Sequence, residues 1–323
     1  MINRTLIRIK VIQLLYSYEL NKSTQTLEQA KKDLKTSLDK SHELYFALLQ
    51  LMIDLTNLQE RRLDEAKHKF LPTEEDLNPN MRFVENELIN WLCENEEIQQ
   101  FVGKHKITWW DDEIFLRLML DKVLYSDDYK EYMSMEATDF ASDCHVWHQL
   151  LKKVILPDED LEETLESKSV YLNPDDLDII GQFVLKTIKR IENLGASKNA
   201  DTDDEIHTFN PIYPQYKDEE DSRFAEELFE STILQMQENN MLIDLSVKSD
   251  RWDADRIALM DRIIMCTAIT ELKQFEKIPT VVTLNEYIEM AKSFSTARSG
   301  QFVNGILNSV TERLKKEKVI NKY

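Results

Sequence analysis

Glycine is nearly missing from this 323-residue chain, which has only Gly103, Gly181, Gly195, Gly300 and Gly305. So few glycines argue against a phosphate-cradling loop or a turn-rich β fold, and neither G-x-G-x-x-G nor G-x-x-x-x-G-K occurs. Cysteine is equally scarce. Cys93, Cys144 and Cys266 are odd in number, far apart and without a C-x-x-C, which disfavours a disulfide framework and favours a reducing, cytoplasmic setting. No apolar run approaches the roughly 18–20 residues that span a bilayer, so no membrane role is expected. Met1 to Leu20 combines basic residues with apolar surface. Lys10, Gln13 and Glu19 interrupt it and no A-x-A-like site follows, so it reads as a first helix rather than a signal peptide.

Hydrophobic residues make up 42% and charged residues 31%, the balance of a chain that builds a substantial core. The net charge of −20, taken whole, opposes nucleic acid. It is unevenly spread: residues 1–24 carry +3, residues 221–323 carry −2, and residues 25–220 hold −21. The two ends are therefore not repelled from a polyanion by their own composition.

The hydrophobic pattern is helical throughout. Ile7, Val11, Leu14, Leu15 and Tyr18 fall on one helix face, with Arg4 and Arg8 a turn apart to one side and Tyr16 further round. Residues 27–70 predict one or two long helices, with Leu44, Leu48, Leu51 and Leu55 on one face. Pro72 and Pro79 mark a loop over 71–80, and helical stretches follow near 83–101, 111–124, 145–155 and 174–194. A polar tract from Gly195 to Asp221, including Asp201 to Glu205, reads as a linker or long surface loop. Three further helices are expected: one begun by Phe224, Leu228, Ile233, Leu234 and Met236; one over Trp252–Lys273; and a last one from about Ala297 to Lys318. The second would use Ile257, Met260, Ile264, Ala268 and Leu272 as a face; the third would turn Phe302, Ile306, Leu307 and Val310 inward. Thr283-Leu-Asn-Glu286 has the form of a capping box. The fold class is all-α.

Few residues have the pattern of a reactive site. Cys144-His145-x-x-His148 beside Asp143 is metal-like in composition, yet it lacks an evident fourth ligand and sits among Trp147, Leu150 and Leu151. Asp111-Asp112-Glu113 and Asp158-Glu-Asp160 stand at predicted helix starts, where acids cap amides rather than catalyse. Trp109-Trp110 could stack on bases, although tryptophans before a helix are more often core. No G-x-S-x-G elbow is present. No enzymatic activity, metal or cofactor is expected.

Two segments at the end of the chain carry a specific resemblance. Pro279-Thr-Val-Val-Thr-Leu-Asn-Glu-Tyr-Ile-Glu-Met-Ala-Lys-Ser-Phe294, followed by Ser299-Gly-Gln-Phe-Val-Asn-Gly-Ile-Leu307, resembles the signature of the NusB transcription-antitermination family, an N-E-x-x-E-x-A-K core followed by F-V-N-G. Asp261 to Leu272 is similar to the family's buried helix, and Gln13-Leu-Leu-Tyr16-Ser17-Tyr18-Glu-Leu20 to its first helix. The resemblance implies NusB-like helical bundles. It covers roughly 1–24 and 220–315, and predicts a domain of residues 1–30 plus 216–323 with an acidic helical insert over 31–215. It also implies pairing with the ribosomal protein NusE, binding of boxA-type single-stranded RNA, and work within the RNA polymerase antitermination complex. Carried over position by position, Arg4, Arg8, Tyr16, Arg298, Gln301, Phe302 and Asn304 would contact RNA, and Asp261 would meet the protein partner. The chain departs from the family pattern in its first helix, which is poorer in arginine than is usual, and at Cys266, where the family commonly has arginine.

Two other readings remain. One is a helical assembly or scaffold protein whose acidic insert docks a basic partner without RNA specificity. The other is an RNA methyltransferase, some of which carry a NusB-like domain, although no strand–Gly-loop–helix unit for its cofactor is visible. An all-helical chain should give a circular dichroism spectrum dominated by helix; strong strand character would contradict the fold assignment.

Overall fold

A computed structural model describes residues 1–198, 210–247 and 257–321. Trp252 and the acidic run Asp201 to Glu205 lie outside the described residues. Among the described residues there is no β-strand, only an isolated bridge between Ile2 and Tyr216. No described helix is long and apolar enough to cross a membrane.

The described chain divides into two compact units, one of residues 39–215 together with Met1 and one of residues 2–38 and 216–323. The whole net charge resides in the first. Residues 39–215 contain 38 acidic and 18 basic side chains, whereas the rest of the chain contains 22 of each.

The unit of residues 2–38 and 216–323 contains α1 (Arg4–Asn21), the start of α2 (Leu27–Lys67), α11 (Glu219–Ser246), α12 (Leu259–Gln274), α13 (Thr280–Phe294) and α14 (Ala297–Lys316). Its centre is α12, which packs against α1, α11, α13 and α14. Every residue from Ile263 to Leu272 is buried, so this helix has no solvent face, as expected of a helix surrounded on all sides. It begins at Leu259, later than the sequence pattern indicated within the described residues. α11 turns Phe224, Ala225, Leu228 and Phe229 inward, but Leu234 is exposed rather than part of that face. On α14, Ile306, Leu307 and Val310 are buried and Phe302 is only half-buried.

The predicted capping box at Thr283 does not form. Pro279 sets the helix start, so α13 begins at Thr280 and Thr283 already lies within its first turns. Its hydroxyl donates instead to Glu271 Oε1 at 2.8 Å.

The unit of residues 39–215 continues α2 and adds α3 (Glu74–Leu77), α4 (Glu87–Glu94), α5 (Glu96–His105), α6 (Glu113–Tyr125), α7 (Asp127–Ser134), α8 (Phe140–Leu150), α9 (Glu159–Lys168) and α10 (Pro174–Lys198). Residues 27–67 form one unbroken helix, with Leu44, Leu48, Leu51 and Leu55 buried. The expected loop over 71–80 contains one helical turn, α3, closed by a reciprocal Thr73–Asp76 capping box. Asp112 and Asp158 cap α6 and α9 by accepting from Phe115 N and Asp160 N. Trp109 is buried and its Nε1 donates to the Ala47 carbonyl at 2.7 Å, which makes it core rather than a stacking platform. Cys144 is buried and burial pushes its thiol up to about 12, whereas His145 is exposed. A buried set of polar groups joins α4, α7 and α8: Tyr132 OH donates to Asp143 Oδ1 at 2.6 Å, and Glu87 N donates to Asp143 Oδ2 at 2.7 Å.

Candidate nucleic-acid interface

The residues singled out in the sequence separate into two groups. Arg8 is buried, with 3% of its side chain exposed. Its Nε donates to Glu271 Oε2 at 2.8 Å and its Nη2 to Glu271 Oε1 at 2.9 Å, a bidentate pair of the strongest kind. Glu271 also accepts from Thr283 Oγ1 at 2.8 Å and from Tyr287 OH at 3.0 Å. At the rim, Glu286 accepts from Thr5 Oγ1 at 3.0 Å and lies 3.5 Å from Arg8 Nη1. Burial works against the charge on Arg8, but the bonds from Glu271 outweigh it, so its pKa is raised. Burial, and then the charge of Glu271, raise the Tyr287 phenol well above its ordinary value. The cluster ties α1, α12 and α13 together, and its guanidinium is spent on internal bonds. In this arrangement Arg8 does not present a charge to a phosphate.

Arg4 is partly accessible, with 31% of its side chain exposed. It donates through Nε to Asp221 Oδ1 at 2.8 Å and lies 3.4 Å from Glu220. Both Arg4 and Arg8 stand over the Phe224 ring, 5.2 and 5.5 Å from its centroid, a geometry that holds cations against an aromatic face. Tyr16 is half-buried on α1. Asp261, in the first turn of α12, is buried, and its Oδ1 has no hydrogen-bond partner among the described residues.

The second group lies on α14. Arg298, Gln301, Asn304 and Asn308 are exposed. At about 100° per residue these four, with Gly305, fall within one arc of about 120°. Asn304 accepts from Asn308 Nδ2 through its side-chain oxygen at 2.6 Å. The first turn of α14 holds no acidic residue.

Gly305 closes the F-V-N-G motif, and its surroundings give it a role that the motif alone does not. A glycine inside a helix costs about 1 kcal/mol relative to alanine, so it needs a reason. Its φ is not positive, and a Cβ placed there would meet nothing within 4 Å. No packing among the described residues requires the missing side chain. By contrast, a Cβ on Gly300 would come within 2.6 Å of Lys292 Cγ, so that glycine serves the close approach of α14 to α13. The backbone at Gly305 is left bare on an exposed polar face, as happens where a ligand approaches the main chain.

A family model described as the NusB family matches residues 180–312, from within α10 through most of α14. The transcription antitermination protein NusB of Salinibacter ruber (strain DSM 13855 / M31) is 37% identical over 134 residues, covering 41% of this chain and 82% of that protein. The chain belongs to the NusB family. The transcription antitermination proteins NusB of Bacillus thuringiensis (strain Al Hakam) and Bacillus cereus (strain AH187) are each 38% identical over 90 residues, covering 27% of this chain and 69% of theirs. No solved structure matches the chain. The NusB signature residues thus divide between an internal clamp, with Glu271, Thr283, Glu286 and Tyr287, and an open face on α14.

Removing one member of a buried, hydrogen-bonded ion pair strands the other charge, at a cost of about 3–5 kcal/mol. Glu271→Gln should therefore lower the unfolding free energy by about 3 kcal/mol in urea titrations. Thr5→Val removes only a bond at the rim and should cost roughly 1 kcal/mol or less. Equal, small effects for both would show that the cluster is not the clamp described.

Proposed function

We propose that this protein is a transcription antitermination factor that binds boxA-type single-stranded RNA together with the ribosomal protein NusE, as part of the RNA polymerase antitermination complex. The observation that carries the proposal is the α14 face, where a glycine without a packing role lies among Arg298, Gln301, Asn304 and Asn308. Single-stranded RNA is held by cations on its phosphates and by hydrogen bonds and stacking on its unpaired bases. Arg298 supplies the cation, and the positive end of the α14 dipole, with no acid in its first turn, favours a phosphate beside it. The amides of Gln301 and Asn304 carry the donors and acceptors that base edges need. Bare backbone at Gly305 lets the strand come close.

Phe302 and Tyr16, both half-buried, retain part of a ring for stacking. Arg4 is assigned a phosphate contact, made by exchanging its bonds to the carboxylates of Glu220 and Asp221 for bonds to the RNA backbone. Arg8 is assigned the positioning of α1 rather than contact with RNA. The start of α12, with Asp261 in its first turn, is assigned to the protein partner.

The test is fluorescence anisotropy of a labelled boxA-type RNA over a salt series, with and without the ribosomal protein. Each phosphate contact to a single strand contributes about 0.7 to the slope of log affinity against log salt. Arg298→Ala should weaken binding and flatten that slope by about 0.7. Gly305→Ala should hold or raise thermal stability, because alanine favours the helix by about 1 kcal/mol, and yet weaken RNA binding. If both variants bind RNA as the parent does, the α14 face is not the RNA face.

A further inference from the structure

The unit of residues 39–215 carries an apolar stripe that its own core does not use. α6 buries Phe115, Leu116, Met119, Leu120 and Val123. Its outer side leaves Ile114 76%, Leu118 50% and Tyr125 77% exposed. At i, i+4 and i+11 these three fall within an arc of about 40° and run for about 16 Å, three turns of helix. Single exposed apolar residues are ordinary, but an aligned row is the pattern of a helix–helix contact.

The charges around the stripe decide what could cover it. Three cations beside it are already held by carboxylates: Arg117 by Glu113 at 2.7 Å, Arg62 by Asp121 at 2.6 Å, and Lys122 by Asp158 at 2.6 Å and Asp160 at 2.7 Å; a fourth, Lys130, donates to the Tyr125 carbonyl at 2.7 Å. Asp121 itself lies in the row between Leu118 and Tyr125. Exposed Asp111 stands before one end and exposed Asp127 after the other. The unit as a whole has 20 more acids than bases. A second copy would bring an equally acidic surface, and RNA or an anionic membrane would be repelled for the same reason.

We infer that the α6 stripe docks a cationic amphipathic helix of a partner protein, with apolar residues seated on Ile114, Leu118 and Tyr125 and lysines or arginines meeting the surrounding carboxylates. This is the helix-on-face mode of recognition, in which apolar anchors give affinity and the rim charges select the partner. It is independent of the RNA-binding proposal, because the residues involved belong to the other unit.

The test uses the full chain and a fluorescent peptide of about 18 residues of leucine and lysine, about five turns, with one apolar helical face. Two controls are the same composition scrambled to abolish that face, and the amphipathic peptide with glutamate in place of lysine. The protein variant is Ile114→Ser with Leu118→Ser; both side chains are largely exposed, and retained folding is checked by circular dichroism melting. The amphipathic cationic peptide should bind the parent, and binding should fall about tenfold or more with the scrambled peptide, the glutamate peptide and the double variant. Equal binding of the scrambled peptide would reduce the effect to polyanion–polycation attraction and overturn the inference, as would unchanged binding by the double variant. Concentration-dependent dimerisation of the parent that the double variant abolishes would also overturn it, by making the stripe a contact between copies of this chain.

Discussion

The unit that carries the NusB signature depends on one buried ion pair. Arg8 and Glu271 are removed from water together, and two charges in that position are tolerated only because their bonding is nearly complete. Glu271 receives a bidentate guanidinium, a threonine hydroxyl and a tyrosine hydroxyl, from α1 and α13. Such a pair adds less to stability than an apolar core would. Its directional bonds do, however, fix where α1 lies against α12 and α13. The apolar face of α1, with Ile7, Val11 and Leu15 fully buried, follows from that placement.

Charge organises the chain on a larger scale. Acids and bases balance within residues 1–38 and 216–323, and all of the excess acid belongs to residues 39–215. A net charge quoted for the whole chain therefore describes neither unit. The balanced unit holds Arg298 and the acid-free first turn of α14. In the acidic unit Arg62, Arg117 and Lys122 beside α6 are tied in local pairs, and the unit's excess carboxylates are left to interact with solvent or with a basic partner.

Much of the helical framework was legible in the sequence, because periodicity records which side of a helix is buried. The row Leu44, Leu48, Leu51 and Leu55 is apolar for that reason alone. Charged residues inside helices were not legible. Arg8 lies to one side of the apolar face of α1 and nothing local marks it as buried, because its partner lies 263 residues away. Thr283 and Glu286 match a capping pattern, but Pro279 starts the helix earlier and frees both side chains to bond Glu271 and α1. The α14 face was half legible: the resemblance points to Arg298, Gln301 and Asn304 in and before the F-V-N-G motif, whereas the value of Gly305 rests on empty space that only the three-dimensional structure reveals.

The central claim is a division of labour in which Arg8 positions α1 and the α14 face meets the RNA. The most direct measurement is the salt dependence of RNA affinity for the double variant Arg8→Met with Glu271→Gln. Both charges are removed together; the glutamine oxygen keeps one of the bonds from Thr283 and Tyr287, and its amide NH2 can donate to the other hydroxyl oxygen. If Arg8 only positions, the folded double variant binds boxA-type RNA with the salt slope of the parent protein. A slope lower by about 0.7 would mean that Arg8 itself contacts a phosphate, and would contradict the account.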